Sequence, residues 1–214
     1  SRGLGDVYKR QTKTIIKIMS KGTISLLAVG IFILCLVGGT LTTYNGLVAK
    51  DESVSTAWGN LQAQYQRRAD LIPNLVSTVK GYAKHESSTL ENVIAARAKA
   101  TQLTVSADEL TPQKIQEIQN AQGQLSVALG KLMRITEQYP TLKANEQFSE
   151  LQAQLEGTEN RINESRLQYN LIVKEYNVSV RRFPGNIVAG VFGFEKKAAF
   201  QADASAQSSP KVEF

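Results

Sequence analysis

Residues 148–183 read FSELQAQLEGTENRINESRLQYNLIVKEYNVSVRRF, and within them Phe148, Leu155, Ile162, Tyr169, Tyr176 and Phe183 recur every seven residues. Seven residues make two helical turns, so these side chains share one helix face; a strand would need alternation. A neighbouring line, Leu151, Thr158, Ser165, Ile172 and Ser179, is mostly small. Large groups set against small ones let helices approach closely. Asn145 or a neighbour is placed to cap the start, and Pro184-Gly185 to stop the end. A helix with so continuous an apolar stripe needs partner helices to cover it.

Those partners are legible upstream. Ile115, Ile118, Leu125, Leu129 and Leu132 mark an amphipathic helix, with Thr111 as N-cap, Pro112 in the first turn and Tyr139-Pro140 at the end. Before it, residues 54–103 carry a sustained heptad. One line is Trp58, Tyr65, Ile72, Val79, Glu86, Val93 and Ala100; the other is Leu61, Arg68, Leu75, Tyr82, Thr89, Ala96 and Leu103. This spacing predicts one helix over 54–103, kinked at Pro73, which lacks a backbone donor. Downstream, NIVAGVFGF (186–194) predicts a short helix lying on the bundle or touching lipid, and residues 201–214 read as a flexible tail. The expected fold is all-α: an N-terminal transmembrane helix, then an elongated antiparallel bundle of three long helices plus a short C-terminal helix.

The transmembrane expectation rests on TISLLAVGIFILCLVGGTLTTY (23–44), inside a charge-free run from Gly22 to Ala49. About 20 apolar residues cross the hydrocarbon layer. No convincing small-x-small cleavage site precedes Tyr44, so an uncleaved single-pass anchor is expected rather than a signal peptide. The one cysteine, Cys35, follows Leu34 and not a small residue, which argues for packing rather than lipidation. Gly30 and Gly38-Gly39 form no clean GxxxG, so homo-oligomerisation through this helix has only weak support. Residues 1–18 lack periodicity, and Met19 looks like a start, so 1–18 are expected to be a non-native leader. The domains then read as leader 1–18, anchor 19–49, bundle 50–200 and tail 201–214. Of the net charge of +6, the leader carries +4, five cations against Asp6. The folded part therefore has no basic face for nucleic acid. With the leader, five Lys/Arg precede the span and only Lys50 closely follows it; from Met19, Lys21 and the amino terminus stand against Lys50, itself offset by Asp51 and Glu52, so either start leans the bundle outside the cytoplasm.

Among the apolar lines lie polar stripes. RRADLIPNLV (67–76) puts Arg67, Asp70 and Asn74 on one face, with Arg68 on an apolar seam, where it should face the second helix or reach for an acid. The last long helix carries Glu159, Asn163, Arg166, Asn170 and Asn177. In up-down-up order the first and third helices run parallel, which sets Arg67 level with Glu159 and Asn74 with Arg166. The stripes are expected to face each other and fix register, since an unpaired buried polar group costs about 1–3 kcal/mol.

Catalytic chemistry is hard to assemble. His85 is the one histidine, and Tyr82 sits three residues before it, so the Glu-x-x-His pairs of a di-iron bundle cannot be formed. No Gly-rich phosphate loop is present, and no Ser/His/Asp set stands out. No cofactor, metal or catalytic residue is expected. The final Val212-Glu213-Phe214 has the form that strand-addition modules capture.

The chain resembles the LemA family of bacterial membrane proteins through YNGLVAKDESVSTAW (44–58), RRADLIPNLVSTVKGYAKHE (67–86), ARAKA (96–100) and YPTLKANEQFSELQAQLEGTENRI (139–162). The match continues through YNLIVKEYN (169–177), FP (183–184) and PKVEF (210–214), and leaves out residues 1–18. The resemblance implies a membrane helix followed by a helical bundle, with no established catalytic residue, cofactor or substrate; it also implies a cytoplasmic bundle, against the charge argument. The functional expectation is a non-enzymatic, membrane-anchored envelope scaffold or adaptor. The alternative is an accessory that recruits an envelope protease or PDZ-containing partner through its tail.

Overall fold

The computed structural model describes residues 21–83, 85–103 and 105–201. The leader expected over 1–18 and the tail residues 202–214 lie outside them. Among the described residues six α-helices follow in order: α1 (Lys21–Tyr82), α2 (Ser87–Gln102), α3 (Pro112–Thr136), α4 (Pro140–Lys143), α5 (Glu146–Arg181) and α6 (Gly185–Phe192), with a 3-10 turn at Ala107–Glu109. No strand occurs among the described residues. The chain divides into two compact units between Gly46 and Leu47.

In the first unit the apolar run is helical and its side chains are exposed, Leu26 at 76% and Leu34 at 71%. Thr40, Thr42 and Thr43 donate their hydroxyls to the carbonyls of Leu36, Gly38 and Gly39, each at 2.8 Å. These three hydroxyls are thereby satisfied within the helix, as an apolar medium requires.

The second unit is an up-down-up-down bundle. The expected helix over 54–103 is two helices, because the chain turns back at Ala83–Glu86. Trp58 Nε1 donates to Val105 O (2.8 Å) and Arg97 Nε to Ala69 O (2.7 Å), so α2 runs antiparallel to α1. Lys99 meets Gln124 (3.0 Å), and α3 runs back alongside α2. Asn145 bonds Tyr82 and Glu159 bonds Arg68, so α5 descends antiparallel to α1. The heptad ran through this turn without a phase break, which concealed it. Beyond Val79 its positions are Tyr82, Glu86 and Thr89, too polar to hold a straight rod together. Folding back buries Leu90, Val93 and Ala100 against Ile72, Leu75 and Val79. Burial of each large aliphatic side chain contributes roughly 1.5–3 kcal/mol.

On α5 the large line is buried at Phe148, Leu155, Ile162, Tyr169 and Tyr176, whereas Phe183 lies beyond the helix end and is 77% exposed. Thr111 Oγ1 accepts from Lys114 N (3.2 Å) and Asn145 Oδ1 from Phe148 N (2.9 Å), so both caps form. Pro73 sits inside α1. Its missing N–H orphans the carbonyl four residues back, that of Ala69. This is the carbonyl that Arg97 bonds from α2. At the opposite end, a Cβ on Gly185 would stand 2.2 Å from the Ser179 carbonyl oxygen, so only glycine lets α6 start so close to α5. Gly193 (φ +78°) ends α6 in the left-handed conformation.

Candidate functional site

Arg68 is 2% exposed at the centre of the bundle. Its guanidinium donates through Nη1 to Ser126 Oγ at 3.0 Å and to Glu159, and through Nη2 to Gln122. One planar fork thus ties α1 to α3 and α5. Tyr65 lies beside it, its ring centroid 6.0 Å from the guanidinium carbon. Burial pushes the Tyr65 phenol up to about 12, against the opposing pull of Arg166 and Arg68. A cavity of about 240 Å³ lined by Trp58, Gln62, Tyr65 and Gln122 adjoins this centre.

Below it the chain after α6 forms an extended strap, residues 194–200, laid along α5. Asn177 Nδ2 donates to Lys197 O and its Oδ1 accepts from Lys197 N, both at 2.9 Å. Asn170 holds Phe200 in the same way, at 3.0 and 2.9 Å. Each side-chain amide takes the place of a neighbouring strand's peptide group. The two asparagines are seven helical residues apart, about 10.5 Å, and the residues they hold are three extended residues apart, about 10 Å. Tyr169 Oη adds a bond to Ala198 O (2.9 Å). Phe200 packs against Trp58 and Tyr169 (centroids 6.3 and 5.5 Å), with the Arg166 guanidinium 5.1 Å from its ring centroid.

Lys197 anchors the strap electrostatically, its ammonium 3.1 Å from Asp51 and 2.8 Å from Asp108. Burial pulls its pKa down, but the bonds to Asp108 and Asp51 outweigh that and raise it overall. The bond from Lys197 in turn holds Asp108 below the usual carboxylate range. Burial pushes both Tyr169 and Tyr176 up to about 12.

The structure therefore divides the polar stripes. Arg68 and Glu159 meet. Arg67, Asp70 and Asn74 are exposed, and Asp70 accepts from Gln66 on its own helix (2.7 Å). The reason is direction: α5 runs antiparallel to α1, so Asn74 shares a cleft with Gln154, not with Arg166. Asn170 and Asn177 hold the strap, Arg166 covers Phe200, and Asn163 is exposed. Glu86 accepts from Tyr139 (3.3 Å), and His85 is exposed. Gln122 and Ser126, both partners of Arg68, were not among the expected residues, although Gln122 falls on the apolar line of α3. The strap was missed altogether. Val212, Glu213 and Phe214 lie outside the described residues.

Residues 57–214, which span the bundle, Arg68 and the strap, match the LemA family. This chain belongs to the LemA family. Among its relatives is the protein LemA of Metamycoplasma hominis, 27% identical over 177 residues, covering 83% of this chain and 75% of the relative. The magnetosome protein MamQ 2 of Paramagnetospirillum magneticum is 28% identical over 195 residues (83% and 70%). The magnetosome protein MamQ of Magnetospirillum gryphiswaldense is 26% identical over 201 residues (85% and 74%). None of these names specifies a reaction. With the charge-free run over 22–49 inside α1, this LemA chain is a membrane-associated helical-bundle protein. No group of three or more metal-ligating side chains converges among the described residues.

Proposed function

We propose that this LemA-family chain is a non-enzymatic, membrane-anchored adaptor, with residues 19–49 as the anchor and 50–200 as a scaffold presenting helical faces to partners. The observation that carries this reading is an uncovered apolar stripe on α5. Leu167, Leu171 and Val178 are 62%, 47% and 49% exposed. At 100° per residue they fall within about 40° of one another, a seam suited to a partner helix. Arg68, Lys197, Asn170 and Asn177 support the same reading, because their bonds hold elements of the fold together. Arg68 is held by three side chains, Lys197 by two carboxylates, and two asparagines by backbone.

A photo-crosslinking residue at Leu171 of the full chain, in its native membrane, should give a discrete adduct that Leu167→Glu abolishes without lowering Tm. Equal crosslinking from Leu171 and from exposed Gln138 would count against the adaptor reading. The LemA match runs through residue 214, which keeps tail recruitment of an envelope protease as a second reading. Loss of co-purification on deleting residues 210–214, with the Leu171 adduct unchanged, would favour it. The charge distribution leans toward a bundle outside the cytoplasm, so added protease should cleave it in spheroplasts whose cytoplasmic membrane is sealed; protection there until lysis would refute that orientation.

A further inference from the structure

α6 is the most apolar stretch of the bundle unit, and only part of it is covered. Gly185, Val188 and Ala189 are buried against the bundle. Phe183, Ile187 and Val191, spaced four apart, are 77%, 56% and 74% exposed. Basic residues flank the face: Arg181 and Arg182 before it and Lys196 after it, all exposed, with Glu195 as the only acid from Tyr176 to Lys197. The end of α6, Phe192 and Gly193, lines the same cleft as Asp51, the α1 residue bonded to Lys197. Asp51 is seven residues past Tyr44, the last residue of the apolar run. Seven residues span at most about 25 Å even when fully extended, so the chain itself tethers Asp51 within that distance of the end of the apolar run.

From these observations we infer that α6, with Phe183 before it, is an interfacial membrane-docking helix. Phe183, Ile187 and Val191 enter the headgroup boundary, and Arg181, Arg182 and Lys196 meet anionic phospholipid headgroups. A short apolar face beside cations, on a helix outside the spanning segment, has the character of elements that lie in the membrane surface. A soluble protein partner for this face would have to compete with a bilayer already held within reach, whereas lipid is present at once.

The test uses the full chain carrying Cys35→Ser, reconstituted into vesicles of phosphatidylcholine and phosphatidylglycerol. A single nitroxide is placed at Val191→Cys, at Ile187→Cys, or at Gln138→Cys as an exposed control near the opposite pole. Val191 and Ile187 should collide with oxygen at least about threefold more than with an aqueous nickel chelate, at a depth of about 5–10 Å, with the reverse ratio at Gln138. Pure phosphatidylcholine, or Arg181→Gln with Arg182→Gln, should reduce that oxygen excess. Emission from Trp58, the single tryptophan, checks that each variant is folded. Chelate access at Val191 equal to that at Gln138 would overturn the inference. So would protection from both reagents together with spin–spin coupling between copies, since the face would then be covered by a second copy.

Discussion

The bond from Arg97 to Ala69 O supports a test in which one substitution makes another harmless. Pro73 deprives that carbonyl of its helical partner, and Arg97 supplies a charged donor at 2.7 Å. Ala69 is 2% exposed, so water cannot take over readily. Arg97→Met keeps the stem packing and removes the donor, leaving a buried carbonyl unsatisfied at a cost of about 1–3 kcal/mol. For a unit of this size each kcal/mol lowers Tm by roughly 2–4 °C, which predicts a fall of about 2–12 °C. Pro73→Ala restores an N–H to the helix and returns the carbonyl to ordinary helical bonding. In that background Arg97→Met should cost less than about 0.5 kcal/mol, the range of surface substitutions. The four proteins, wild type, both singles and the double, are compared by circular-dichroism melting in the same detergent or nanodisc. A coupling of about 1–2 kcal/mol is expected. If Arg97→Met lowers Tm equally with and without Pro73, the arginine acts by packing alone and the orphaned-carbonyl argument is wrong.

Three further outcomes follow from the interior. Glu159→Ala strands a buried arginine, and although Glu159 is itself 43% exposed and partly screened, a loss of about 2–3 kcal/mol is expected. Arg68→Met should lie within about 1.5 kcal/mol of wild type, since an apolar residue of similar volume needs no partner, and melting of both variants checks the asymmetry. Asn177→Ala removes two bonds of roughly 0.5–1.5 kcal/mol each, so amide exchange at Lys197 should quicken by about 5–150-fold, read by hydrogen exchange, while Leu75 in the core stays protected. Tyr65, Tyr169 and Tyr176 have folded-state pKa values of about 12, above the ordinary 10. The neutral phenol is thus the form the fold favours: its stabilisation is complete below pH 10 and is lost as pH rises toward 12. Tyrosinate absorbance of these three should therefore appear last and together with unfolding; their ionisation near pH 10 in the folded chain would contradict their burial.

The long helices were legible because burial imposes its period on the sequence. The seam of α5, the Thr111 and Asn145 caps and the charge-free run over 22–49 are local signals read at face value. The turn between α1 and α2 was not legible, because its four connecting residues keep 79, 86 and 93 in phase. That single turn reverses every later helix, which is why Asn74 and Arg166 do not meet. Arg68 remained recognisable because a cation on an apolar seam needs an acid under any topology. The strap left no trace: seven extended residues have no helical period, and their partners are side-chain amides rather than a neighbouring strand. The asparagines that hold it were visible, but nothing in their spacing named the backbone they would bind.

The asparagine pair also acts as a ruler with two different scales. Because amide groups grip peptide units and not side chains, the four residues from Lys197 to Phe200 are constrained in number far more than in kind. Replacing Ala199, which is exposed, should be of little consequence. Adding a single residue there would advance the chain by about 3.4 Å and turn Phe200 to the opposite side, away from Trp58. In comparisons among related chains, this stretch should therefore vary by substitution and resist insertion, the reverse of what an irregular surface segment ordinarily tolerates.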